Sequence, residues 1–160
     1  MNNSIKKEIN NLYDEGKEIL SGFINDEEEK KISSLRKSYQ TWYTKALIVV
    51  KEIIPARYDE FVECYSCSKR KEISYSNFSM SDYLLGICIS RGGVRQFDPR
   101  VAGLIRFSTQ VDIVRSIVEN IDNVLFNIKS NIEFEVLDNE LDSSRILLKK
   151  GYLRSAGAIC

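Results

Sequence analysis

Histidine is absent from the 160-residue chain, and that omission excludes more chemistry than any other feature. Histidine is the usual acid–base group near neutral pH and the commonest metal ligand. A Ser–His–Asp or Cys–His mechanism within this chain alone is therefore excluded, as are histidine-containing zinc sites. Chain breakers are scarce too, with two prolines and eight glycines, which leaves room for long helices. No apolar run approaches the roughly 20 residues needed to cross a bilayer. The first residues, MNNSIKKEINN, lack the apolar segment of a signal peptide. Excess charge is missing as well: 23 basic side chains balance 23 acidic ones, so attraction to nucleic acid or membrane has to come from a local patch. Four cysteines without an export signal are expected as reduced thiols in the cytoplasm.

What is present is helical periodicity. Ile5, Ile9, Leu12, Tyr13, Gly16, Leu20 and Phe23 recur three and four residues apart and predict an amphipathic helix. Asn25 and Asp26 offer an N-cap for a second helix, and Glu27 to Glu29 suit the positive end of its dipole. Its stripe is Ile32, Leu35, Tyr39, Trp42, Ala46, Val49 and Ile53, with Tyr43, Leu47, Val50 and Ile54 widening it. From Asp26 to Ile54 it would span about 43 Å. Pro55 breaks that helix and starts the next, whose apolar face is Tyr58, Phe61, Val62 and Tyr65. Ser79 and Asp82 have capping-box spacing, which predicts a short helix over Met80 to Ile89, with a strand over Leu84 to Ser90 as the alternative. Arg91-Gly92-Gly93 reads as a turn. Asp98-Pro99 starts a third long stripe of Leu104, Phe107, Val111, Val114, Val118, Ile121, Leu125, Ile128 and Ile132. Asp138 would cap a final helix facing inward through Leu141, Leu148, Tyr152 and Ile159. The expected fold is all-α: one domain over residues 1–160, an elongated helical bundle with two long antiparallel helices and shorter flanking helices.

Candidate chemistry is sparse. Cys64 and Cys67 form a CxxC, but the motif closes a predicted helix rather than opening one. Only Cys88 and Cys160 remain to complete a zinc site. The expectation is therefore no metal, no cofactor, and one cysteine buried as a small apolar group. Trp42 and Tyr43 are expected as core anchors. Between Lys69 and Arg106 seven basic side chains (Lys69, Arg70, Lys71, Arg91, Arg95, Arg100 and Arg106) face three acidic ones. Two readings stand. That stretch is a nucleic-acid footprint with Tyr75 and Phe78 to stack on bases, or it is a solvated face that complements the acidic run Glu133, Glu135, Asp138, Glu140 and Asp142. The solvated reading is favoured.

The chain ends on Ala158-Ile159-Cys160 with none of the usual helix stop signals. The end is expected to pack against this chain, a partner, or residues of a longer reading frame. Gly151, Ser155 and Ala158 place small residues on a shared region of this helix, as close approach of a neighbouring helix requires; a C-cap at Gly151 is the alternative. Leu148, Gly151, Tyr152, Ser155, Ala158 and Ile159 are the candidate interface residues. The stretch from Glu140-Leu141-Asp142 through Ile146-Leu147-Leu148-Lys149-Lys150-Gly151-Tyr152-Leu153-Arg154-Ser155-Ala156-Gly157-Ala158 resembles a segment of HEPN-like helical proteins, in which a leucine-rich helix carries a Lys-Gly-Tyr-Leu-Arg-Ala-Ala-Gly type motif. The resemblance covers about the last twenty residues. It implies an α-helical, often dimeric domain of prokaryotic toxin–antitoxin, phage-defence or RNA-processing systems. Active members pair an Arg with a His four to six residues on. Arg145 and Arg154 have no such His, so the resemblance implies a chain that is inactive, truncated before its active half, or non-catalytic by design.

The reading reached from sequence is a non-enzymatic helical domain, cytoplasmic, working by protein association as a homo-oligomer or with a protein partner, and without a membrane segment. RNA or DNA binding through residues 69–106 is the alternative.

Overall fold

The computed structural model describes residues 2–25 and 32–149; of the expected N-cap residues Asn25 is instead the last residue of the first helix, while Asp26 and Glu27 to Glu29 lie outside the described residues. Helix α1 (Asn2–Asn25) and helix α2 (Ile32–Ile53) follow from the two apolar stripes. They form an antiparallel hairpin, with Ile5 near Ile53 at one end of a shared groove and Leu12 beside Trp42 further along. Gly16 explains how closely they approach: a Cβ there would lie 2.8 Å from the Trp42 Nε1. With no side chain in the way, the indole N–H reaches the Leu12 carbonyl at 2.8 Å.

Pro55 ends α2 and starts a single 3₁₀ turn, Pro55–Arg57, that leads into α3 (Tyr58–Tyr65). A polar connection with a second 3₁₀ turn, Tyr75–Asn77, leads to α4 (Met80–Leu84). The Ser79–Asp82 capping box is present, with the Asp82 N–H donating to the Ser79 hydroxyl. The helix is shorter than the expected Met80 to Ile89, because Gly86 takes φ +72°. There the Gly86 N–H bonds to the Tyr83 carbonyl and the Ile87 N–H to the Asp82 carbonyl, a helix-ending pair that sequence pattern alone did not place. The Leu84–Ser90 strand alternative is not met: Leu84 ends α4, and the two-residue strand β1 (Ser90–Arg91), antiparallel to β2 (Val94–Arg95), shares only Ser90 with it. Gly92 and Gly93 connect them at φ +61° and +79°, the pair of positive angles a two-residue hairpin turn requires.

Helix α5 runs Pro99–Lys149. Asp98 caps it, accepting from the Arg100 N–H at 2.8 Å, and Pro99 occupies the first helical position. Two expectations need correction here. The third stripe and the final helix are one helix, because residues 133–139 hold no Gly or Pro to break it and Asp138 lies in its interior. Leu141 and Leu148 do not face inward: they are 55% and 57% exposed.

The chain divides into two units, Met1–Ile121 and Asp122–Cys160. The first is a helical bundle. Its centre is aromatic: Tyr39, Trp42, Phe61 and Phe107 are wholly buried. Phe107 meets Tyr39 and Trp42 edge-on at 5.0 and 5.2 Å between ring centres, while Tyr43 stacks on Phe61 and Tyr65. Edge-to-face and offset rings each add about 0.5–1.5 kcal/mol beyond area burial. In the second unit the described residues are α5 from Asp122 to Lys149, and none of them is buried.

Candidate interaction surfaces

Buried polarity in the first unit is paired internally. Gln110 is wholly buried; it accepts from the Tyr39 hydroxyl at 2.7 Å and donates to the Phe61 carbonyl at 3.0 Å. Burial pushes the Tyr39 hydroxyl well above the usual tyrosine value, partly countered by Gln110. Tyr43, beside Tyr58 and Tyr65, is pushed up to about 12, again chiefly by burial. Both stay neutral hydroxyls at neutral pH, and neither is poised as a base.

Arg70 and Asp82 form the other internal site. Both guanidinium nitrogens reach the carboxylate, at 2.6 and 2.5 Å, and Ser79 donates its N–H and hydroxyl to the same group. Burial alone would raise the Asp82 carboxyl; Arg70 and Ser79 outweigh it and hold it below the usual carboxylate value. Arg70 also donates to the Asn77 carbonyl at 2.7 Å. The pair ties the 66–79 connection to α4.

That assignment removes part of the basic stretch. Arg100 donates to the Phe23 and Ile24 carbonyls, and Arg106 to those of Phe78 and Ser76. Arg70, Arg100 and Arg106 are thus only partly exposed and hold loops and helix ends. The remaining four, Lys69, Lys71, Arg91 and Arg95, are exposed and have no ion pair among the described residues. Phe78 is wholly buried and cannot stack on a base; Tyr75 packs edge-on to Phe97 but stays 49% exposed. The expected acidic run is spread along α5, where Glu133 and Asp142 pair locally with Lys129 and Arg145.

Among the described cysteines, Cys64 is buried, Cys67 half-buried and Cys88 exposed, all as free thiols. Burial pushes the Cys64 thiol up, as expected of a packed apolar group rather than a reactive one. No cluster of three or more metal-binding side chains occurs among the described residues, and no described helix is long and apolar enough to cross a membrane. A groove of about 490 Å³ between α1 and α2 is lined by Ile5, Ile9, Leu12, Ile48 and Val49, and the Lys45–Glu15 ion pair lies on its rim.

The most conspicuous surface is the second unit. Phe126 and Phe134 are 70% and 68% exposed, and Ile128, Ile132, Val136, Leu137, Leu141, Ile146, Leu147 and Leu148 are all exposed. Of the six candidate interface residues only Leu148 is described; Gly151, Tyr152, Ser155, Ala158 and Ile159 lie outside the described residues. The exposure of apolar residues upstream of Leu148 was not foreseen, because the stripe through Leu125, Ile128 and Ile132 reads identically whether it faces its own core or solvent. Gln110 was missed too, although a polar residue between Phe107 and Val111 on an apolar stripe is a visible signal. No family model, curated protein or solved structure matches this chain.

Proposed function

We propose that the protein is a non-enzymatic helical association module of the cytoplasm that self-assembles through residues 122–149 of α5. The observation that carries this reading is the exposure of large apolar side chains from Phe126 to Leu148. A lone helix is marginal in water, and helices gain most of their stability by burying an apolar face. An exposed apolar surface of this extent marks an interaction site.

The pattern also speaks to the size of the assembly. At about 100° per residue, Leu125, Ile128, Ile132 and Val136 fall on one side of the helix. Phe134, Leu137, Leu141 and Leu148 fall on nearly the opposite side. One neighbouring helix covers one row only, so an assembly larger than the expected dimer is favoured. A HEPN-like, defence-type setting, as the resemblance of residues 140–158 implies, belongs to the same proposal.

Sedimentation velocity on the full chain tests it. The expected result is an oligomer that Leu137→Glu with Leu141→Glu reduces in order, while near-ultraviolet dichroism from Trp42 is retained. A wild-type chain that stays monomeric at high concentration overturns it.

A further inference from the structure

We infer that the Ser90–Arg95 hairpin is a phosphate clamp for double-stranded DNA, inserted into the major groove without base selection. The inference stands on a different region from the association reading and does not depend on it.

The register carries the argument. Ser90 pairs with Arg95 and Arg91 with Val94, and directly paired residues share a face of the ribbon while successive ones alternate. Arg91 and Arg95 therefore lie on opposite faces of one two-stranded ribbon. Both are exposed, and neither has a hydrogen-bond or ion-pair partner among the described residues. Their neighbours differ: Arg70, Arg100 and Arg106 are all engaged by carboxylate or carbonyl oxygens. The turn itself is Gly92-Gly93, so no side chain obstructs the tip, and Val94 beside it is 66% exposed. No acidic residue occurs between Ser90 and Phe97.

A ribbon with a cation on each face suits a cleft with an anionic wall on each side. Strands lie about 4.8 Å apart, and the B-form major groove, about 12 Å wide, admits a two-stranded ribbon. An arginine on either face then reaches the phosphates of the two walls. The A-form RNA major groove is too narrow to enter, and a single strand offers one wall only. Arginine can also bond guanine edges, but with Arg91 and Arg95 on opposite faces each meets a wall of the groove rather than its floor, so the contact expected is to phosphate.

Fluorescence anisotropy of a labelled mixed-sequence DNA duplex, titrated with the full chain across a salt series, tests the clamp. The expected result is salt-dependent binding whose slope of log K against log salt falls by about 1.8 in Arg91→Gln with Arg95→Gln, the loss of two phosphate contacts. Arg91→Lys with Arg95→Lys is expected to keep most of the binding, since charge is retained. Sedimentation confirms that wild type and variants are compared at one oligomeric state, so failure of the clamp and failure of self-association are read separately. No binding at low ionic strength, an unchanged slope in the glutamine variant, or equal affinity for an RNA duplex or a single strand each overturns the proposal. So does a lowered melting temperature in the glutamine variant, which would place the arginines in the fold rather than on its surface.

Discussion

Helix α5 contains two regions with the same kind of residues and opposite surroundings. Up to Ile121 it buries Phe107, Gln110, Val111, Ile113, Val114 and Ile117. From Asp122 to Lys149 it buries nothing, although Phe126 and Phe134 are as large as Phe107. Apolar periodicity thus states that a helix has a face to cover; it does not state what covers it. In the first region α2 and α3 do so, with Tyr39, Trp42 and Phe61 against Phe107 and Gln110. In the second, we propose that other copies of the chain supply the covering surface.

The contrast can be broken most forcefully at its buried end. Phe107→Ala is expected to cost about 3–5 kcal/mol, the range for emptying a packed aromatic site, measured by urea denaturation. A loss below about 1 kcal/mol would mean that the aromatic centre is not the core. Asp82→Ala is expected to cost about 3 kcal/mol, because Arg70 would keep a partly buried, unpaired charge. The sign of its pH dependence follows from the depressed Asp82 value. Its contribution is present above the ordinary carboxylate range and is lost as pH falls through the lower folded value. Asp82→Asn should therefore flatten the acid limb of the stability profile. An unchanged limb would remove Asp82 as its source.

Gln110→Leu leaves the Tyr39 hydroxyl and the Phe61 carbonyl without their partner, at an expected cost of about 1–3 kcal/mol by thermal melting. The raised Tyr39 value adds an alkaline signature of the opposite sign. Stability is intact below the ordinary tyrosine range and is lost as pH rises through the higher folded value. The smallest effect is expected in the exposed region. Phe126→Ser should leave the melting of the first unit within about 0.5 kcal/mol while weakening self-association in sedimentation. A large loss of stability there would show that Phe126 is covered within the chain and would erase the contrast.

Local features were legible because each depends on residues close in sequence. The Ser79–Asp82 box, the Asp98–Pro99 start and the Pro55 break all stand where residue type and spacing place them. So does the Arg91-Gly92-Gly93 turn, although the two-residue strands around it were not foreseen. The end of α4 just before Gly86 was missed because glycine is compatible with both continuation and cap. The continuity of α5 was missed because Asp138 caps a helix only where the preceding backbone is not already helical. The basic stretch was the least readable. In sequence Arg70, Arg91, Arg95, Arg100 and Arg106 are equivalent charges, and only their distances to Asp82 and to backbone carbonyls separate them.

The sequence by itself determined that this protein is all-helical in its main elements, lacks histidine chemistry, and carries three long apolar stripes that need cover. Those properties follow from composition and from periodicities of three and four residues, which need no knowledge of neighbours. The tertiary structure alone decided which stripe is core and which is surface, and which arginines are structural and which stand free. Burial and pairing are relations between residues far apart in the chain, and the spacing of neighbours along it does not contain them.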